Sequence, residues 1–356
     1  MNQKEKELFL ELCAFRSPNA KKIEGLLKSN AATAEVLGML FANRMAGVAY
    51  HVLKETSLLD LVDREFRNSL HNAFWLNEKI NDDFLGCIKF LSTELEACGV
   101  PYALLKGAYL CFKYPSGCRT SNDVDVLIAP QDVGKVSAKL KMAGFRQGYL
   151  KNGTFFPASR KQIIESKMTR GETVPFIKET KLPFLKYIEV DLNFSLDYKN
   201  SDDEVLKQML SRTQLVSISG TQIRTLDNTD FFLHLCSHLY KEATTLPWIQ
   251  MGRDMTFYKY ADLYLLMEQV NDEEATRLYF MATGMNLETE LSYCLHSLQS
   301  FWELKDASTN SYLHGRYNWD LHRVFSPAEK KVYRYTEKNV KTRFFKKDRQ
   351  TLLEEE

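Results

Sequence analysis

Two aspartates two positions apart, Asp123 and Asp125, sit in the run Ser121-Asn-Asp-Val-Asp-Val-Leu-Ile128, with Arg119 just upstream and Lys106-Gly107 before that. In an extended strand, alternate residues project to the same face, so both carboxylates point one way while Val124 and Val126 point into a core. Paired carboxylates are hard oxygen ligands for Mg²⁺ or Mn²⁺. Metal ions held in this way activate an attacking oxygen and stabilise a leaving pyrophosphate during nucleotidyl transfer. A third carboxylate is expected from the later alternating run Tyr187-Ile-Glu-Val-Asp-Leu-Asn-Phe194, where Asp191 and Glu189 share the polar side. Gly107 is expected to let the backbone turn tightly against a phosphate, with a following helix aiming its free N–H groups at the anion. Lys106 and the planar fork of Arg119 supply the neutralising cations.

Those residues need a scaffold, and the texture of the chain supplies one. The chain has 356 residues and a formal net charge of +1. That length suits two or three lobes, and the near-neutral charge argues against a nucleic-acid footprint over the whole molecule while leaving room for a local patch. Residues 1–98 read as a helical N-terminal lobe, with Phe9, Leu12, Cys13 and Phe15, then Val36, Met39, Leu40, Val48, Val52 and Leu53 at helical spacing. A long helix from about Asn72 to Ala97 is expected to end at Cys98-Gly99.

From residue 99 to about 200, short apolar runs at Val100–Leu105 and Val124–Ile128 alternate with helical patterns, an α/β signature. Residues 145–185 form an expected flap whose aromatics, Phe155, Phe156 and Phe176, either cover a substrate or pack on the sheet. After a polar linker, Asp197–Asp203, residues 201–356 are expected to be a helical C-terminal lobe, closed by a basic helix-like tail from Glu329 to Glu356. In this lobe Lys259 is a candidate triphosphate ligand, with Asp262 nearby to orient it. His234 and His238 lie at the i, i+4 spacing of a metal pair, but no glutamate follows the first histidine.

The seven cysteines stand singly, which fits a reducing cytoplasm. Neither a secretory leader nor an apolar run of membrane-spanning length is visible, so a cytoplasmic protein without a membrane partner is expected.

The run Leu105-Lys106-Gly107, Tyr114-Pro115, Arg119, Asp123-Val-Asp125-Val-Leu127 and Val190-Asp-Leu-Asn-Phe194 resembles the uncharacterised nucleotidyltransferase family of the DNA polymerase β-like superfamily. The resemblance covers most of the chain, including His234-Leu-Cys-Ser-His238. It implies an α+β fold, a mixed-sheet nucleotidyltransferase core flanked by N-terminal and C-terminal helical lobes, with Asp123 and Asp125 as metal ligands and Asp191 as the third carboxylate. Two departures stand out. Ala108 occupies the place of the serine or second glycine usual after the glycine, and Asn193 stands where many relatives carry histidine.

The function expected from residues and resemblance together is a Mg²⁺-dependent (or Mn²⁺-dependent) nucleotidyltransferase. It would use ATP or another nucleoside triphosphate, release pyrophosphate, and modify a small molecule, a protein side chain or an RNA end. The competing expectation is a nucleotidyltransferase-fold regulatory or antitoxin-like binding protein with little catalysis.

Overall fold

Alternating valine, isoleucine and leucine make Asp123–Ile128 and Tyr187–Asn193 neighbouring strands of an eight-stranded sheet. The structure is a computed structural model describing residues 1–169, 171–196, 203–302 and 321–356. The expected linker Asp197–Asp203 lies outside the described residues, apart from its last position. The sheet contains β1 (Tyr102–Leu104), β2 (Asp123–Ile128), β3 (Arg146–Lys151), β4 (Thr154–Pro157), β5 (Phe176–Glu179), β6 (Tyr187–Asn193), β7 (Gln214–Ile218) and β8 (Thr221–Thr225). Their order is β4-β3-β5-β6-β2-β1-β8-β7. The pairs β2–β6 and β1–β8 are parallel and the other five antiparallel, the mixed sheet of an α+β fold.

The chain divides into two compact units, Trp75–Phe231, which holds this sheet, and Met1–Phe74 with Phe232–Glu356. The helices are α1 (Gln3–Leu12), α2 (Ala20–Lys28), α3 (Ala34–Ala42), α4 (Ala46–Glu55), α5 (Arg64–Glu96), α6 (Gly107–Leu110), α7 (Val133–Met142), α8 (Arg160–Thr169), α9 (Asp203–Ser211), α10 (Asn228–Ala243), α11 (Leu246–Gln250), α12 (Phe257–Leu266), α13 (Asp272–Gly284) and α14 (Glu288–Phe301). Helix α5 begins before the expected Asn72 and stops beside Gly99, whose φ of +60° suits the glycine expected there.

In the sheet-bearing unit, one face of the sheet is apolar. Val124, Val126, Val190, Leu192 and Phe176 are fully buried on it. Phe90 of α5 stacks on Phe145 at 6.5 Å, and Lys178 on the same face of β5 reaches over the Phe90 ring at 4.2 Å. Helix α7 is tied to α5 by the Lys139–Glu94 ion pair at 3.0 Å. With α5 and α7 against this side, the polar residues of β2 and β6 fall on the other.

The expected helical lobe after residue 200 needs correction, because β7 and β8 belong to the core sheet. Ser219 and Gly220 join them with φ values of +47° and +77°. Consecutive positive φ values match the right-handed twist of a two-residue hairpin, so Ser219-Gly220 between two alternating runs is the turn signal in the sequence.

In the other unit, an aromatic core gathers Phe9, Phe257, Phe301, Trp302 and Phe344, with Phe257 and Trp302 centroids 4.9 Å apart. The basic tail also differs from the expected helix. It contributes strands β10 (Lys331–Tyr335) and β11 (Leu353–Glu355), which pair with β9 (Arg323–Ser326) in a three-stranded sheet, and a short helix Val340–Phe344. Lys331-Val-Tyr-Arg-Tyr335 carries the β-branched and aromatic residues that favour a strand, and carboxylates neutralise its cations across strands, as in Arg334 to Glu356 and Lys331 to Glu355. Two tail arginines are structural. Arg343 is buried, with Nη1 2.9 Å from His322 Nδ1, and Arg349 makes a bidentate pair with fully buried Asp254, Nε to Oδ2 being 2.7 Å.

None of the seven cysteines forms a disulfide, and all are buried. Among the described residues, no single helix is long and apolar enough to cross a membrane.

Removing one partner of a buried ion pair leaves the other charge uncompensated, at a cost of about 3–5 kcal/mol. Arg349→Ala is therefore expected to lower unfolding free energy by roughly that amount, measured by urea denaturation, with part of the loss recovered in Arg349→Ala/Asp254→Leu. A change within ordinary surface-substitution limits would show that the pair does not hold the tail.

Candidate active site

Parallel pairing of β2 with β6 sets Asp123 opposite Glu189 and Asp125 opposite Asp191. Register partners on adjacent strands face the same way and lie about 5 Å apart, so four carboxylates crowd one face. Crowding and burial raise the proton affinity of two of them. The Asp191 carboxyl is held well above the usual carboxylate range, first by burial, then by the charges of Asp125, Glu172 and Asp123, with Lys106 acting in the opposite sense. Glu189 is shifted upward by burial and then by Asp123.

Asp125 has polar partners. Lys106 Nζ lies 2.8 Å from its Oδ1, and Asn193 Nδ2 donates to the same oxygen at 3.1 Å. The Ser121 hydroxyl donates to Asp123 Oδ1. Period two explains both additions, since Asn193 follows Asp191, and Ser121 precedes Asp123, by two positions. Glu172 is different: it arrives through an isolated bridge to Asn193 beside Gly171, whose φ is +64°. No periodicity forecasts that contact.

The turn before α6 is built differently from the expectation. The left-handed residue is Lys106, at φ +44° and ψ −120°, a conformation that favours glycine and costs a side-chain-bearing residue of order 1–3 kcal/mol. Gly107 needs no such φ. It is required because a Cβ there would lie 2.4 Å from Ser121 Oγ and 2.5 Å from Ser121 Cβ. Glycine thus admits the serine that binds Asp123. Helix α6 has only four residues, too short to present the extended dipole expected of a phosphate-binding helix.

Arg119 is buried, and its guanidinium donates to the carbonyl of Thr120. Its own carbonyl accepts from Asn81 Nδ2 at 2.8 Å, while Asn77 Nδ2 reaches the Gly117 carbonyl at 2.9 Å. The loop feeding β2 is therefore strapped to α5.

The structure brings Lys106, Gly107, Arg119, Asp123, Asp125 and Asp191 together in one unit. Lys259 belongs to the other, where it pairs with buried Glu242 and lies over the Trp248 ring at 5.6 Å. Glu242 also lies 3.4 Å from His238 Nε2, and Asp262 is buried. Among the described residues, no three His, Cys, Asp or Glu side chains are gathered closely enough to hold a metal ion in this conformation. The donor chemistry nonetheless fits a divalent cation. Hard oxygens share one face, burial and then their mutual repulsion push Asp191 upward, and an ammonium rests on Asp125.

The family model for uncharacterised nucleotidyltransferases matches residues 29–303. No curated protein matches the chain. Two solved structures share limited similarity with it. An antigenic nucleotidyltransferase-like protein from Paracoccidioides brasiliensis is 14% identical over 60% of this chain and 93% of its own, with a TM-score of 0.35. The antibiotic-resistance factor ANT(2'')-Ia is 10% identical over 61% of this chain and 98% of its own, with a TM-score of 0.32.

Because the folded pKa of Asp191 lies above its unfolded value of about 3.9, the folded state holds an extra proton in the interval between them, and stability falls as pH rises through it. Asn mimics the protonated acid. Asp191→Asn is accordingly expected to raise the melting temperature in EDTA at pH 8 and to leave it nearly unchanged near pH 4. Equal shifts at both pH values would contradict the charge crowding.

Proposed function

This chain belongs to the uncharacterised nucleotidyltransferase family, and we propose that it moves a nucleoside monophosphate from a Mg²⁺- or Mn²⁺-bound triphosphate to an acceptor hydroxyl on the carboxylate face of β2 and β6. The observation that carries this reading is the register pairing of Asp125 with Asp191, which sets carboxylates from two strands side by side beneath the Lys106 ammonium.

Asp123, Asp125 and Asp191 would hold the divalent cation, which supplies charge neutralisation at the phosphates and lowers the acceptor hydroxyl's pKa. Lys106 exchanges its carboxylate partner for a phosphate oxygen of the triphosphate, a role for which an ammonium on a flexible stem is suited. Ser121, admitted by Gly107, orients Asp123. Asn193 keeps one oxygen of Asp125 aimed across the strands. Asp191, a carboxylate on the strand beside Asp125, is placed to accept the acceptor's proton. The attacking oxygen bonds to the α-phosphorus, the bond to the bridging oxygen breaks, and pyrophosphate leaves. Arg119 fixes the loop ahead of β2; direct phosphate contact by it requires its guanidinium to leave the Thr120 carbonyl.

The regulatory, weakly catalytic alternative draws on Ala108 in the glycine turn and on the Lys106–Asp125 ion pair. Pyrophosphate release from each of the four nucleoside triphosphates, with Mg²⁺ or Mn²⁺ and candidate acceptors, separates the two readings. Wild-type turnover is expected, with Asp123→Asn slower by at least about 100-fold and Lys106→Met also impaired. Turnover that survives Asp123→Asn would remove the carboxylates from the chemistry. Nucleotide binding without transfer would favour the regulatory reading.

A further inference from the structure

The chain is nearly neutral, but its charge is unevenly distributed. From Val133 to Thr169 there are eight lysines and arginines against one acid, Glu165. This stretch forms α7, β3, β4 and α8, at one end of the same sheet that carries the carboxylates. All of these cations except Lys139 are exposed, and Arg146, Lys151, Arg160, Lys161 and Lys167 belong to β3 and α8.

Register links this basic end to the candidate active site. Arg146 pairs with Ile177, Ile177 with Glu189, and Glu189 with Asp123. Residues so paired share a face, so Arg146 projects on the carboxylate side. Two residues along β3 is Gly148, where a Cβ would lie 2.7 Å from the ring of Phe155 and 2.2 Å from the Phe156 carbonyl. Phe155 opposes Leu150, on that same face. Its ring occupies the space beside Gly148, and the Arg146 guanidinium stacks over it, 4.2 Å from the centroid. On the reverse side, Phe156 is 47% exposed, with Lys151 Nζ 5.8 Å from its centroid. A half-buried aromatic under a guanidinium on one face and an exposed aromatic beside a lysine on the other are the composition of a surface that stacks bases and neutralises phosphodiesters.

We propose that β3, β4 and α8 form a docking surface for single-stranded nucleic acid, centred on the Arg146–Phe155 stack, and that the strand's 3′-hydroxyl is the acceptor. The acceptor assignment rests on the nucleotidyl-transfer reading above; the docking surface does not. Four interstrand steps separate β4 from β2, roughly 19 Å, the reach of a few nucleotides lying across the sheet. In the transfer, the 3′-oxygen bonds to the α-phosphorus, the bond from that phosphorus to the β-phosphate oxygen breaks, pyrophosphate carries off the electron pair, and the hydroxyl proton passes to Asp191. An anionic lipid surface fits less well. A membrane-lying helix separates apolar from charged faces, whereas on α8 exposed Ile164 and Met168 are interleaved with Arg160, Lys161 and Lys167.

Fluorescence anisotropy of the full chain with labelled, unstructured RNA and DNA oligomers of about twelve nucleotides tests the surface, and lengthening of the same oligomers on adding triphosphate and Mg²⁺ tests the acceptor. Wild type is expected to bind, more weakly as salt rises. Phe155→Ala should weaken binding roughly 5- to 150-fold, and the surface variant Arg160→Gln/Lys161→Gln/Lys167→Gln should flatten the salt dependence. Asp123→Asn should bind like wild type and lengthen nothing.

Absence of binding at low salt, binding unaffected by both surface variants, or binding to phosphatidylserine vesicles in place of the oligomers would overturn the surface. Oligomers that bind but are not lengthened, while pyrophosphate is released with another acceptor, would overturn the acceptor assignment alone. If pyrophosphate release fails with every acceptor while oligomers bind, it is the nucleotidyl-transfer reading that has failed.

Discussion

The constraint on which the site depends is like-charge crowding across two parallel strands. Asp123, Asp125, Glu189 and Asp191 occupy one face because the opposite face is committed to the core through Val124, Val126, Val190 and Leu192. A one-residue slip in register would bury the carboxylates and expose the valines, so the apolar face holds the acidic one in place. The local answer to the repulsion is Lys106, kept in a backbone conformation that a glycine would adopt more readily, with its ammonium on Asp125. Strain at such a position persists only where surrounding structure over-determines it. Here Gly107, packed against Ser121, and the loop strapped to α5 through Asn77 and Asn81 supply that support.

Much of this was legible in the sequence because it follows from a period of two. Alternation placed Asp123 with Asp125 and Glu189 with Asp191, and the α+β class followed from short apolar runs between helical patterns. Which residues oppose each other across β2 and β6 was not legible, since register is a property of the pair. Nor was the division of labour in the turn: glycine suggested the unusual backbone, but lysine adopts it, and glycine answers a packing demand made by Ser121 fourteen positions later. The tail misled through its charge. Its arginines and lysines suggested one basic helix, whereas strand pairing sets Glu355 and Glu356 against Lys331 and Arg334, and buried Asp254 holds Arg349.

Whole-chain charge hides the basic end of the sheet, because acids elsewhere cancel it. Once strands are ordered in space, Arg146 and Phe155 join the face that carries the carboxylates. Chemistry at β2 and β6 and recognition at β3 and β4 then become parts of one surface, with Gly148 giving Phe155 its place as Gly107 gives Ser121 its own.

Binding of Mn²⁺ in the presence of a non-hydrolysable nucleoside triphosphate, followed by electron paramagnetic resonance on wild type, Asp125→Asn and Asp191→Asn, tests the central claim most directly. The account predicts that wild type takes up the ion together with the nucleotide and that either substitution sharply weakens uptake. Undiminished uptake by both variants would contradict it, because the crowded carboxylates would then not be the cation's ligands.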